Sequence, residues 1–191
     1  MMKRTLSILY CLLLTTVLLA EDVSFRANAP QQVIAGQPFQ LTYTVNHRSK
    51  DLRAPEMSDF DILAGPYTSQ SSSTSWVNGK RTSSFTQTYT YTLVASKPGS
   101  FTIPAATITV SGAETYYRTA PASVSYPVVV YAYGDANGDG KVDIVDVTMS
   151  ISRILGQNPD GFIEKAADVN KDGKVDIVDV TSIIDIILKA S

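Results

Sequence analysis

From about residue 22 to 131, apolar and polar positions alternate with a period of two. Phe39, Leu41, Tyr43 and Val45 take one face of a segment whose other face is Gln40, Thr42, Thr44 and Asn46. That alternation predicts a half-buried strand. The same period returns with Phe85, Gln87, Tyr89, Tyr91 and Leu93 set against Thr86, Thr88, Thr90 and Thr92. Between these segments stands Asn78-Gly79, a pair suited to the positive φ angles of a tight hairpin turn. It predicts a long hairpin over about 67–94, with the Ser/Thr run from Thr68 to Ser75 as an exposed strand face. Further strands are predicted at 22–28, 59–64, 100–110 and 123–130, separated by Ala35-Gly36-Gln37-Pro38, Lys97-Pro98-Gly99 and Ser111-Gly112. Seven or so short strands without helical periodicity predict an all-β immunoglobulin-like sandwich over 21–131.

After residue 131 the period changes. Val147, Ile151, Ile154 and Leu155 are spaced for one apolar helix face, as are Val180, Ile183, Ile184, Ile187 and Leu188. Between them, the stretch from Asn158 to Ala167 predicts a short helix beginning near Asn158, with Pro159 in its first turn. The segment before, Pro127 to Gly134, reads as strand and connection rather than as an entering helix. The chain of 191 residues thus divides into a sandwich and a small all-α module over 132–191.

The far N-terminus follows neither pattern. Lys3 and Arg4 precede an apolar run from Leu6 to Leu19, then Ala20 and two acids, which is the layout of a signal peptide over 1–20. The run is short for a bilayer span of roughly 20 residues. An exported protein without a transmembrane anchor is expected, placed outside the cell, at its surface or in the periplasm. Cys11 lies inside this run behind the bulky Tyr10, so lipidation is not expected. No other cysteine exists to form a disulfide or act as a nucleophile.

Charge separates the modules further. Residues 21–131 hold eight Lys plus Arg against seven Asp plus Glu, whereas 132–191 hold six against eleven, a balance of minus five. The basic face that nucleic-acid binding needs is absent. Catalysis is not expected either. The only histidine, His47, sits beside Arg48 and Ser49 with no partner for a triad, and Asp59 and Asp61 read as solvated charges at a loop edge. A sugar site is the alternative reading for the sandwich: Trp76, Tyr89, Tyr91, Tyr116 and Tyr117 could supply stacking rings, although Tyr89 and Tyr91 fall on the core face. Such a site would make the sandwich a carbohydrate-binding module of a polysaccharide-degrading assembly.

The acidic module contains one segment written twice. Residues 134–148 and 167–181 are identical at twelve of fifteen aligned positions, and both contain DGKVDIVDVT, 33 residues apart. Asp135, Asn137, Asp139, Asp143 and Asp146 occupy positions 1, 3, 5, 9 and 12 of a loop, with Gly140 at position 6. Asp168, Asn170, Asp172, Asp176 and Asp179 repeat the set, with Gly173 at the turn. Hard oxygen donors at these offsets predict paired EF-hand-type calcium loops, each leading into a helix. Lys141 and Lys174 stand at position 7, where only a backbone carbonyl is required. Two Ca²⁺ ions would change the module's balance from minus five to minus one. Without them the carboxylates of each loop repel one another, so metal is the expected staple of so small a core.

Two family resemblances follow from these residues. The stretches VSFRANAP, AGQPFQLTYTVN and KPGSFTIPAATITVSG, with the long hairpin between them, resemble the N-terminal domain of BatD-type proteins, the oxygen-tolerance or aerotolerance family. That resemblance implies export, several such sandwiches and a membrane helix; this sequence offers one sandwich and no anchoring segment, and the family supplies no catalytic residues. The loop-helix pair with Asp at position 12 resembles a type I dockerin over 134–189, most closely in AADVNKDGKVDIVDVTSIIDIIL. The dockerin resemblance implies docking onto a cohesin-domain partner, and hence attachment to a scaffold or cell surface. It places the partner contacts at Ile144 and Val145, and at Ile177 and Val178. Many family members have Ser or Thr there, so their specificity does not transfer to this chain. A third reading keeps the calcium module only as an intramolecular stabiliser of the sandwich.

Overall fold

The structure, a computed structural model, describes residues 23–111, 117–119 and 125–190. The signal-peptide layout at 1–20 and Tyr116 lie outside the described residues. Ten strands come first: β1 (Phe25–Asn28), β2 (Gln32–Ile34), β3 (Pro38–Val45), β4 (Ser49–Arg53), β5 (Asp61–Val77), β6 (Lys80–Val94), β7 (Gly99–Ile103), β8 (Thr107–Ser111), β9 (Tyr117–Thr119) and β10 (Tyr126–Tyr131). Three helices follow, α1 (Ile144–Ile154), α2 (Glu164–Ala167) and α3 (Ile177–Ala190). The strands form sheets of order β1-β3-β6-β5, β2-β10-β7 and β4-β8-β9. Packed face to face, they make a β-sandwich-like region.

The alternation fixes the register of the central pair. β3 and β6 run antiparallel with Phe39 opposite Leu93, Leu41 opposite Tyr91, Tyr43 opposite Tyr89 and Val45 opposite Gln87. Every member of that face is buried. A one-residue slip would exchange it for the threonines and expose the whole apolar set. This face meets Ile103, Ile108, Val110, Val128 and Val130 from the other sheets in a single core. Gln87 is the polar exception. Its side-chain oxygen accepts the Ser49 amide at 3.0 Å, and its nitrogen donates to the Ser49 carbonyl at 3.3 Å and the Tyr89 hydroxyl at 2.7 Å. It thereby joins β6 to the start of β4. Burial, and then the charge of Tyr91, push the Tyr43 phenol up to about 12, so it stays a neutral core ring.

Three strand expectations change in detail. The segment 100–110 divides into β7 and β8, which enter different sheets. Pro104 lies at the break, where a residue without an N–H cannot continue a ladder. The segment 59–64 is not separate: it begins β5, which runs on into the hairpin through register shifts between Ile62, Ala64 and Tyr67. Asn78 and Gly79 turn the hairpin with φ of 50° and 75°, as a two-residue turn of this hand requires. Because β3 pairs with β6 only as far as Gln87, the distal parts of β5 and β6 pair with each other alone. The Ser/Thr run is accordingly exposed on both faces of a ribbon rather than on one.

The helical module differs in its faces. Val147, Val180 and Ile183 form its buried apolar cluster, with Val142, Val169 and Ile187 packed against them. Ile151, Ile154, Leu155, Ile184 and Leu188, expected on the core side, are exposed. The helices turn toward each other along the line through Val147 and Ser150, so residues one helical step away remain outside. The short helix begins at Glu164, not near Asn158. Asp160-Gly161, with Gly161 at φ 76°, makes a turn closed by the Phe162 amide donating to the Pro159 carbonyl at 3.3 Å.

Candidate functional site

The strand β10 leads directly into the first acid loop: Tyr131 ends it, and Asp135 comes after three residues. No helix intervenes, as the sequence implied. Short polar side chains accept from nearby backbone amides and curl each loop around its acids. In the first loop the Asn137 side-chain oxygen accepts from Asp139 N (2.9 Å), Asp139 from Lys141 N (2.9 Å) and Asp135 from Gly140 N (3.0 Å). In the second, Asn170 accepts from Asp172 N (2.9 Å), Asp172 from Lys174 N (3.0 Å) and Asp168 from Gly173 N (3.0 Å).

The acids at positions 9 and 12 also start the helices. Asp143 caps α1 by accepting from Val145 N at 2.8 Å, while Asp146 reaches back to Asp143 N at 2.9 Å, a reciprocal capping box. Asp176 and Asp179 do the same for α3, at 2.8 Å to Val178 N and 3.0 Å to Asp176 N. The position-12 acids are fully buried, and each also accepts an amide from the start of its loop. Asn137 N reaches Asp146 at 3.1 Å, and Asn170 N reaches Asp179 at 3.1 Å. One carboxylate thus ties the beginning of each loop to its end. The capping role of these acids is seen only once the structure supplies the helix start.

The loops differ in one respect that concerns metal. Asp135 is almost completely buried and its Oδ1 has no hydrogen-bond partner. Burial holds its carboxyl above the usual range, with the Asp146 and Asp139 charges adding to the shift against the opposing Gly140 and Gly138 amides. Asp146 is raised chiefly by burial as well, against the opposing amides of Asp143, Asn137 and Ala136. A buried carboxylate oxygen without a donor is costly unless a cation faces it. Among the described residues, no three His, Cys, Asp or Glu side chains converge into a ready-made metal cage. The loop carboxylates instead face backbone amides. The donor set is nonetheless all oxygen, suited to a hard cation, and the unpartnered Oδ1 gives that cation a place in the first loop.

The four proposed contact residues are outside and symmetric. Ile144 and Ile177 are 66% and 63% exposed, Val145 and Val178 50% and 51%. Neither member of either pair therefore packs inward. The structure adds residues that the sequence reading assigned to the core: Leu155 and Leu188 at 73% and 69%, and Ile151 and Ile184 at 39% and 38%. They continue the same stripes, since steps of seven and eleven from Ile144 or Ile177 return to one helix face. That spacing was the signal available in the sequence. Elsewhere, the alternative sugar platform loses two rings, because Tyr89 and Tyr91 are buried while Trp76 is exposed. The His47 ring bonds Asn46 at 2.8 Å, and Asp61 accepts from Ser96 Oγ at 2.9 Å.

Two family models match the chain. Residues 26–125 match the family described as "BatD DUF11 like domain", and residues 133–188 match "Dockerin type I domain". Both are families of non-catalytic modules, and type I dockerins are generally calcium-binding. Among solved structures, a "Cohesin module from Clostridium perfringens ATCC13124 family 33 glycoside hydrolase" is similar at a TM-score of 0.37 and 10% identity, over 59% of this chain and 98% of that one. No curated protein matches. No helix among the described residues is long and apolar enough to cross a membrane.

Proposed function

The chain belongs to the family of the BatD DUF11 like domain and carries a type I dockerin domain, and from that premise we propose a non-catalytic, exported adaptor. Its module at 132–191 binds two Ca²⁺ ions and docks onto a cohesin-type partner. The immunoglobulin-like sandwich at 21–131 is thereby attached to a scaffold or cell surface. The observation that carries this reading is the pair of acid loops with the same acid spacing, each ending in an exposed Ile-Val pair at a helix start. Export rests on the charged, apolar and small-residue layout of residues 1–20.

The chain's own residues divide the work. Asp135, Asn137, Asp139 and Asp146 supply side-chain oxygens in the first loop, with Asp143 beside them and Lys141 through its carbonyl. Asp168, Asn170, Asp172, Asp176, Asp179 and Lys174 take the matching roles, making an EF-hand-type pair. Bound calcium would neutralise the crowded carboxylates and hold each loop rigid. Asp143 and Asp176, as helix caps, then fix the direction in which the apolar pair behind each of them points. An apolar residue presented on a rigid loop loses little entropy on binding.

The two stripes repeat 33 residues apart with the same exposures, so either can face the partner, giving two docking orientations. Paired substitutions test this in the full chain. Ile144→Asp with Val145→Asp should leave cohesin binding within a few-fold of wild type, as should Ile177→Asp with Val178→Asp, and all four together should abolish it. Loss of binding by one double variant alone, with calcium binding retained, would show that a single face is used.

A further inference from the structure

The two repeats differ at three aligned positions, and each time the first copy has the smaller residue: Gly134 for Ala167, Ala136 for Val169 and Gly138 for Lys171. At each position the first loop is closely packed. A Cβ on Gly138 would stand 2.6 Å from Ile163 Cδ1 and 3.0 Å from the Tyr131 ring, and one on Gly134 would stand 2.8 Å from Val142 Cγ1. Ala136 is fully buried, and its carbonyl accepts the Ile163 amide at 2.9 Å. Of the three, Gly138 alone has a neighbour in the sandwich, Tyr131 at the end of β10, whereas the neighbours of Gly134 and Ala136 lie within the helical module.

Three further contacts join that loop to the sandwich. A cavity of about 270 Å³ is walled on one side by Pro98 of the β6–β7 turn with Gly99 and Ser100 at the start of β7, and on the other by Asp135 and Asp139. The buried, unpartnered Asp135 Oδ1 belongs to this loop, whereas the corresponding Asp168 Oδ1 accepts the Asp172 amide at 3.2 Å. Tyr133 forms a second tie, its hydroxyl bonded to Gln37 of the sandwich and its ring 4.6 Å from the Lys171 ammonium of the second loop. β10 itself is held on both sides, by β2 and β7.

We propose that the first calcium loop uses the end of the sandwich as one of its walls, so that calcium there locks the docking module onto the sandwich, while the second loop takes no wall of its site from the sandwich. The inference rests on the calcium reading above and extends it. The two sites are then unequal: the sandwich raises affinity at the first, and by reciprocity the ion at the first stabilises the β2-β10-β7 sheet. The module carries its sandwich in one orientation rather than on a swivel.

Hydrogen exchange of the full chain, with excess calcium and with chelator, tests this alongside calorimetric counting of bound ions. In wild type, calcium should slow exchange in 99–103 and 126–131 about 5- to 150-fold, the range of ordinary coupling between sites. Asp168→Asn should keep that response, and Asp135→Asn should lose it. Gly138→Lys, which places at the first loop the residue already accepted at Lys171, should weaken it. Tyr133→Phe offers a milder variant if Gly138→Lys does not fold. Two bound ions with no change in the sandwich strands, or equal responses in Asp135→Asn and Asp168→Asn, would overturn the proposal. No bound ion at all would overturn the calcium reading beneath it.

Discussion

Replacing Asp179 in two ways separates the scaffold from the metal site. Its Oδ1 accepts from Val169 N at 2.9 Å and Asn170 N at 3.1 Å, and its Oδ2 accepts from Asp176 N at 3.0 Å. Asp179→Ala leaves three amides without their acceptor. Hydrogen bonds to a charged group contribute about 1.5–3 kcal/mol each. Since water can reach part of the loop, a loss of about 4 kcal/mol is expected in chelator. Asp179→Asn keeps the two amides on its remaining carbonyl and loses one, at about 1.5 kcal/mol, partly offset by weaker repulsion among the acids. Calcium at 100 times its Kd adds about 2.7 kcal/mol per site, provided that it does not bind the unfolded chain. Asp179→Asn should therefore lose about half of the calcium-induced stabilisation, equivalent to about 11–22 °C in the module's Tm at 4–8 °C per kcal/mol. Thermal and urea unfolding of both variants, with calcium and with chelator, measure these effects. A full calcium response in Asp179→Asn would refute its role as a ligand. Equal stability of the two variants in chelator would refute the capping network.

Other substitutions probe the two cores. Ile183→Ala empties a fully buried position in the helical module and should cost about 2–5 kcal/mol by urea unfolding in saturating calcium. Gln87→Ala takes the acceptor from the Ser49 amide and leaves the Ser49 carbonyl only the Tyr89 hydroxyl at 3.5 Å, and should cost about 1–3 kcal/mol in the sandwich transition. Leu155→Asp with Leu188→Asp changes exposed residues only. It should alter stability by less than about 0.5 kcal/mol while weakening cohesin binding measured by calorimetry.

The central strands were legible in the sequence because the Phe39–Val45 and Phe85–Leu93 alternations are long, regular and mutually in register. The acid loops were legible because ligand spacing is read directly from residue offsets. The outward stripe on α1 and α3 was not. With several apolar residues on a short helix, periodicity alone does not select the buried side. The choice falls to helix packing, which selects Val147, Ser150 and Ile183. Nor was the joint with the sandwich visible in advance. Gly138 differs from its counterpart Lys171 by one letter in the sequence, and only the fold brings Tyr131 and Ile163 against it. The division of 100–110 depended on sheet assignment, which a local pattern does not encode.

The most direct measurement places the full chain over an immobilised cohesin-bearing partner, first in calcium, then in chelator, then in calcium again. The account predicts capture, release and renewed capture, with two ions bound in the capturing state. Capture that persists in chelator, or its absence when both loops hold calcium, would contradict calcium-dependent docking.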